Sequence, residues 1–139
     1  MKLLYGIVAI ALTFAHWPAI ADGAFAVGST GNAKDGIAMG GSTNYRTANG
    51  ARERALKECH EYEAPKAAAL CRVVATFKGE CFASAFDPKP GTPGFGWGVA
   101  STKELAEERA LENCRVTAGE ARRRFCAVEK SVTRCDQSK

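Results

Sequence analysis

The sequence predicts an α+β fold made of two tandem β-β-α-β halves, with a mostly antiparallel sheet, two helices and disulfide bonds, and three observations predict it. The stretch ARERALKEC at 51–59 returns as AEERALENC at 106–114 with six of nine letters unchanged. The cysteines repeat their spacing, Cys59 and Cys71 being twelve apart, as are Cys114 and Cys126. Short apolar runs precede each helical stretch in the same order, so the repeated unit covers 25–81 and again 82–135.

The elements follow from periodicity. FAVGS at 25–29 and FASAF at 82–86 are short and apolar, the composition of a first strand. GIAMG at 36–40 and GFGWG at 94–98 alternate larger side chains with Gly or Ala, which puts Ile37 and Met39, or Phe95 and Trp97, on one face of a second strand. In the quoted segments, Ala51, Ala55 and Cys59, like Ala106, Ala110 and Cys114, recur at helical spacing with charges between them. These are amphipathic helices whose alanine faces permit close approach to a sheet. Thr47 is the expected N-cap of the first, and Ser101 with Glu104 forms a capping box for the second. RVVATFK at 72–78 and AVEKSVT at 127–133 then alternate as third strands, giving six strands and two helices in all. The connections are too short for parallel crossovers, so the pairing is expected to be antiparallel.

Residues 1–21 read as an export signal: Lys2, the apolar run LLYGIVAIALTFA, and Ala19-Ile20-Ala21 as a small-x-small cleavage site. The run is shorter than the roughly 20 apolar residues a membrane span needs, so no transmembrane segment is expected once the signal is removed. The mature domain, 22–139, then has 118 residues and a formal charge of +3, one less than the whole chain because Lys2 is removed. Its Lys and Arg are interleaved with Glu, which is not the concentrated basic stripe of a nucleic-acid binder. Localisation outside the cytoplasm, periplasmic or extracellular, is the expectation.

All six cysteines lie in the mature part, an even number in an exported chain, which points to a disulfide framework. Six cysteines allow 15 pairings. The symmetry of the halves selects Cys59–Cys71 and Cys114–Cys126 as local bonds from helix end to strand start, and leaves Cys81 and Cys135 to join across the halves. Metal ligation has poor material, with no Cys-x2-Cys pair and His60 as the sole mature histidine. No cofactor or metal is expected.

The AxxRALxxC helices, the strand GFGWG and the segment CRVVATFKGEC, spanning about 25–135, resemble a bacterial exported family, domain of unknown function 4189. The first half departs from the pattern, with GIAMG lacking an aromatic residue and a longer connection to its helix. The resemblance implies a small exported, disulfide-linked domain, in some members secreted by pathogens toward a host. It carries no catalytic residues with it.

The residues themselves offer few candidates for chemistry. His60 has no nameable catalytic partner and reads as a solvated helix-end histidine. Glu53, Glu58, Glu104, Glu107, Glu108 and Glu112 lie among Arg and Lys at three- and four-residue spacings, the pattern of a salt-bridged helix surface. PKPGTPGFGWG at 88–98 lacks the Gly-Lys-Ser/Thr ending of a phosphate loop. Two differences between the halves stand out as binding candidates. Arg122, Arg123 and Arg124 replace Ala67, Ala68 and Ala69, and Phe95 and Trp97 replace Ile37 and Met39. The expected function is a non-enzymatic module, effector or inhibitor/immunity-like, holding a protein or envelope polymer. The alternative is a small wall-polysaccharide hydrolase using two helix carboxylates.

Overall fold

The structure, a computed structural model, describes residues 22–136; the expected signal segment lies outside the described residues. Strand β1 (Asp22–Ser29) pairs on one side with β2 (Ile37–Tyr45) and on the other with β3 (Arg72–Lys78), forming a three-stranded antiparallel sheet. Helix α1 (Ala48–His60) and the four-residue helix α2 (Pro65–Ala68) connect β2 to β3. The second sheet centres on β4 (Cys81–Phe86), flanked by β5 (Phe95–Ala100) and, on its other side, by the two-residue strands β6 (Ala127–Val128) and β7 (Arg134–Cys135). Helix α3 (Lys103–Ala118) joins β5 to β6.

Side-chain alternation arranges these elements in four layers, helix, sheet, sheet, helix. Ala24 and Ala26 of β1 pack with Ala51, Ala55 and Cys59 of α1, while Ala83 and Ala85 of β4 pack with Ala106, Ala110 and Cys114 of α3. The intervening residues point the other way and meet between the sheets, where Phe25, Met39, Phe77 and Phe82 are buried together. The Phe82 ring lies 5.0 Å from Phe25 and 5.9 Å from Phe77. Each fully buried phenylalanine contributes roughly 1.5–3 kcal/mol relative to exposure.

The helices approach very closely. A Cβ built on Gly40 would lie 2.2 Å from the Ala55 carbonyl oxygen, and one on Gly96 would lie 2.2 Å from the Cys114 nitrogen and 2.3 Å from the Ala110 oxygen. The sequence expectation of an alanine face against a sheet is met, with glycine on the strand as the other half of the contact. These contacts also move the comparison of the two strands by two residues. Gly40 is the match of Gly96, so Met39 stands with Phe95, and Gly41 stands with Trp97.

Helix caps and strand count differ in part from expectation. Thr47 caps α1, accepting from Gly50 N–H at 3.1 Å. Helix α3 is capped by Thr102, not Ser101: Thr102 holds the extended backbone and its hydroxyl accepts from Leu105 N–H at 3.2 Å. The described residues hold seven strands and three α-helices, one more of each than expected. Pro65, fitted for a first helical turn, starts the short α2. The expected strand at 127–133 is broken by a turn in which Val132 N–H returns to Glu129 O and Ser131 bonds the Glu129 carboxylate.

The three disulfides join Cys59 to Cys71, Cys114 to Cys126, and Cys81 to Cys135, the pairs expected from the spacing. Cys81 opens β4 and faces Cys135 on β7. That bond therefore closes the second sheet on itself instead of crossing between halves, and the expected boundary at 81/82 falls inside β4. The corresponding end of the first sheet has Asp22 opposite Lys78, joined by a 3.2 Å ion pair.

Gly96→Ala should force α3 away from β5, because the clashing atoms are backbone. The expected loss is roughly 1–3 kcal/mol, read from the urea midpoint of the oxidised protein.

Candidate functional site

Strand β5 supplies both the wall of a groove and the seat of a helix. Gly96 and Gly98 face α3, which leaves Phe95 and Trp97 on the opposite face toward the first sheet. The two rings are half-buried there, and Trp97 lies 5.8 Å from Phe25. The outer margin of β5 is held by α3 side chains four residues apart. Thr117 Oγ1 accepts the Phe95 N–H at 2.9 Å, Asn113 Nδ2 donates to the Trp97 carbonyl at 2.8 Å, and Arg109 donates to the Val99 carbonyl.

Between this margin and β3 lies an open groove of about 810 Å3, walled by Trp97, Phe95, Val74, Leu70 and Val116, with Arg72 at its rim. Leu70 is 54% exposed and Val116 71%, both unusually open for aliphatic side chains beside an aromatic pair. Exposed apolar surface of this kind marks interaction sites in soluble proteins. No Asp or Glu lines the groove. The sequence reading placed Phe95 and Trp97 among the candidates and missed Leu70, Arg72 and Val116. Val116 carried a signal, an apolar residue between Arg115 and Thr117 off the Ala106-Ala110-Cys114 stripe. Leu70 gave none beyond being apolar in a loop.

The arginine triplet is divided. Arg122 grips Asp87 with two hydrogen bonds, Nε to Oδ2 and Nη2 to Oδ1, both 2.6 Å. The Asp87 side chain is fully buried, and the Arg122 bonds, with a further one from Lys89 N–H, hold its carboxyl far below the usual carboxylate range. The Arg122 guanidinium is raised in turn by the same bonds. In the other sheet the comparable place is filled without charge, because Gly28 lies directly against the Ala67 carbonyl. Arg122 is thus the partner of a buried acid. Arg123 pairs with Glu120 at 3.2 Å, and Arg124 lies 4.8 Å above the Phe125 ring.

The remaining candidates serve the frame. The His60 Nδ1 lies 2.7 Å from the Ala68 carbonyl, tying the end of α1 to α2 beside the Cys59–Cys71 bond. Glu58 receives Gly41 N–H at 3.1 Å and pairs with Arg54 at 2.7 Å and Arg134 at 3.7 Å. Glu107 and Glu112 pair with Lys103 and Arg115 at 4.0 and 3.6 Å. Glu53, Glu104 and Glu108 are exposed. Among the described residues every cysteine is disulfide-bonded and no group of His, Cys, Asp and Glu is placed to hold a metal ion.

The Asp87–Arg122 link gives a pH dependence of defined sign. A depressed folded pKa adds stability above the unfolded value, about 3.9 for Asp, and that stability is lost as pH falls below it. Arg122→Gln leaves the buried carboxylate without its cation, so its stability deficit against the parent should be largest near neutral pH. The deficit should shrink toward pH 2 as Asp87 protonates, measured by urea titrations at each pH.

Among the described residues no helix is long and apolar enough to cross a membrane. Comparison with curated proteins and with solved structures returned no match. The family model described as Domain of unknown function (DUF4189) matches residues 23–135, which takes in both sheets, both long helices and all three disulfides, and the chain belongs to that family.

Proposed function

We propose that this protein is an exported, non-enzymatic binding module that holds a protein partner in the groove between β3 and β5, in the manner of an effector or inhibitor. The observation that carries the reading is the pairing of two open aliphatic side chains, Leu70 and Val116, with the Trp97 and Phe95 rings in one concavity. Its volume of about 810 Å3 is within the roughly 300–1,000 Å3 of typical binding pockets,. Rigid aromatic anchors backed by disulfide-tied elements lose little conformational freedom on binding, which favours affinity. The two helix-on-sheet layers, with matched cysteine spacings and matched glycine contacts at Gly40 and Gly96, support an origin by duplication of one half. The helix carboxylates of the hydrolase alternative gain no support, since Glu58 is held by Arg54 and Arg134, Glu112 pairs with Arg115, and the groove is lined without acids.

The test is affinity capture from envelope extract with the oxidised domain. A partner recovered in stoichiometric amount should be lost with Trp97→Ala or Val116→Asp and retained with Arg123→Ala and Arg124→Ala. Trp97 is the only tryptophan among the described residues, so its emission should shift to the blue when the purified partner is added. A partner that ignores both groove substitutions, or release of sugars from wall polymer by the native domain, would contradict the reading.

A further inference from the structure

A sheet edge exposes a row of unpaired N–H and C=O groups that pairs with any extended chain of suitable shape. The edges of this protein are treated unequally. Along β5, Thr117 accepts the Phe95 N–H and donates to its carbonyl, and Asn113 and Arg109 donate to the Trp97 and Val99 carbonyls. Along β2, Glu58 takes Gly41 N–H, Arg134 donates to the Gly41 carbonyl at 3.1 Å, and Asp136 takes Asn44 N–H. The outer side of the second sheet is split into β6 and β7 of two residues each, separated by a turn. Strand β3 is different. It runs for seven residues and pairs only with β1, and among the described residues no side chain hydrogen-bonds to its backbone.

The surroundings of β3 are cationic. Arg72 is exposed on the groove rim, and a shallow hollow of about 440 Å3 along Val73, Val74, Ala75 and Thr76 is bounded by Arg52 of α1. Neither arginine has an ion-pair partner among the described residues, and neither concavity is lined by an acidic side chain. Charges and bulges on an edge ordinarily prevent indiscriminate pairing, and β3 has both, with Arg72, Lys78 and the register shift at Val74. The charges also disfavour a second copy in the central register: antiparallel self-pairing centred on Ala75 would place Arg72 opposite Lys78, and like charges directly opposite are destabilising.

We propose that β3 receives an extended, acidic segment of a partner protein as a fourth strand of the first sheet. Its carboxylates meet Arg72 and Arg52, and one of its apolar side chains enters the groove beside Trp97. The inference rests on the reading of the groove as a protein-binding site and names the mode of that binding, main-chain pairing with side-chain selection.

The experiment uses terminally blocked heptapeptides of alternating valine and threonine, with glutamate at both ends or lysine at both ends, titrated into the oxidised domain and read by Trp97 emission and fluorescence anisotropy. The acidic peptide should bind at least ten-fold more tightly than the basic one, and Arg72→Glu should reverse that order. N-methylation of two successive central residues, which removes a donor from each edge of the peptide, should abolish binding without altering the protein. Equal binding of the methylated peptide, equal binding of both charge types, or no binding of either would overturn strand addition. Capture of a partner that depends on Trp97 would survive those outcomes, so the groove reading and the strand reading fail separately.

Discussion

The distance between each helix and its sheet depends on atoms that are absent. Gly40 lies against the backbone of Ala55 and Cys59, and Gly96 against that of Ala110 and Cys114, with contacts that leave no room for a methyl group. Because α3 comes so near β5, the short side chains of Thr117 and Asn113 reach the strand's outer margin and bond the Phe95 N–H and the Trp97 carbonyl. The same closeness has a cost. Alanine and glycine bury little apolar area, so the outer layers add modest hydrophobic stabilisation, and the covalent bonds at Cys59–Cys71 and Cys114–Cys126 hold each long helix to its own layer. A loop of this size contributes about 3 kcal/mol in the chain-entropy model of the unfolded state.

Between the sheets the logic is inverted, with large rings lying on glycines. A Cβ at Gly23 would lie 2.2 Å from the Phe77 ring, and one at Gly41 would lie 2.1 Å from Phe82. Gly23 thus makes room for Phe77, its cross-strand neighbour in the first sheet, and Gly41 for Phe82 of the second, and the rings concentrate around Phe25 and Phe82. Trp97 and Phe95 stand at the margin of that cluster, with one flank packed and the other facing the groove. The groove is therefore a consequence of how the sheets meet.

The repeated helices, their alanine faces, the first two strands of each unit and all three disulfide pairs are legible in the sequence, because each is written in local spacing. What was not legible depends on contacts distant in the chain. The division into two sheets requires knowing that Phe25 meets Phe82 and not a strand neighbour. Arg122 looked like a free choice beside Ala67, and only the fold shows Asp87 buried 35 positions away in the chain. The broken strand at Glu129–Val132 had a polar Lys-Ser pair at its centre, a turn signal outweighed by the valine spacing. Of the groove, Phe95 and Trp97 were visible as a difference between the units. Leu70 and Arg72 become neighbours of those rings only when β3 is set beside β5.

One asymmetry separates the two edges: α3 side chains bond the outer margin of β5 at Phe95, Trp97 and Val99, and no described side chain bonds the margin of β3 above its cationic rim. Amide hydrogen exchange on the free oxidised protein measures it directly. The Phe95 and Gly41 amides, which donate to Thr117 and Glu58, should exchange slowly, and the outward-facing amides of β3 should exchange at rates approaching those of an unstructured chain. Equal protection of the Phe95 and Gly41 amides and the outward-facing amides of β3 would contradict the account.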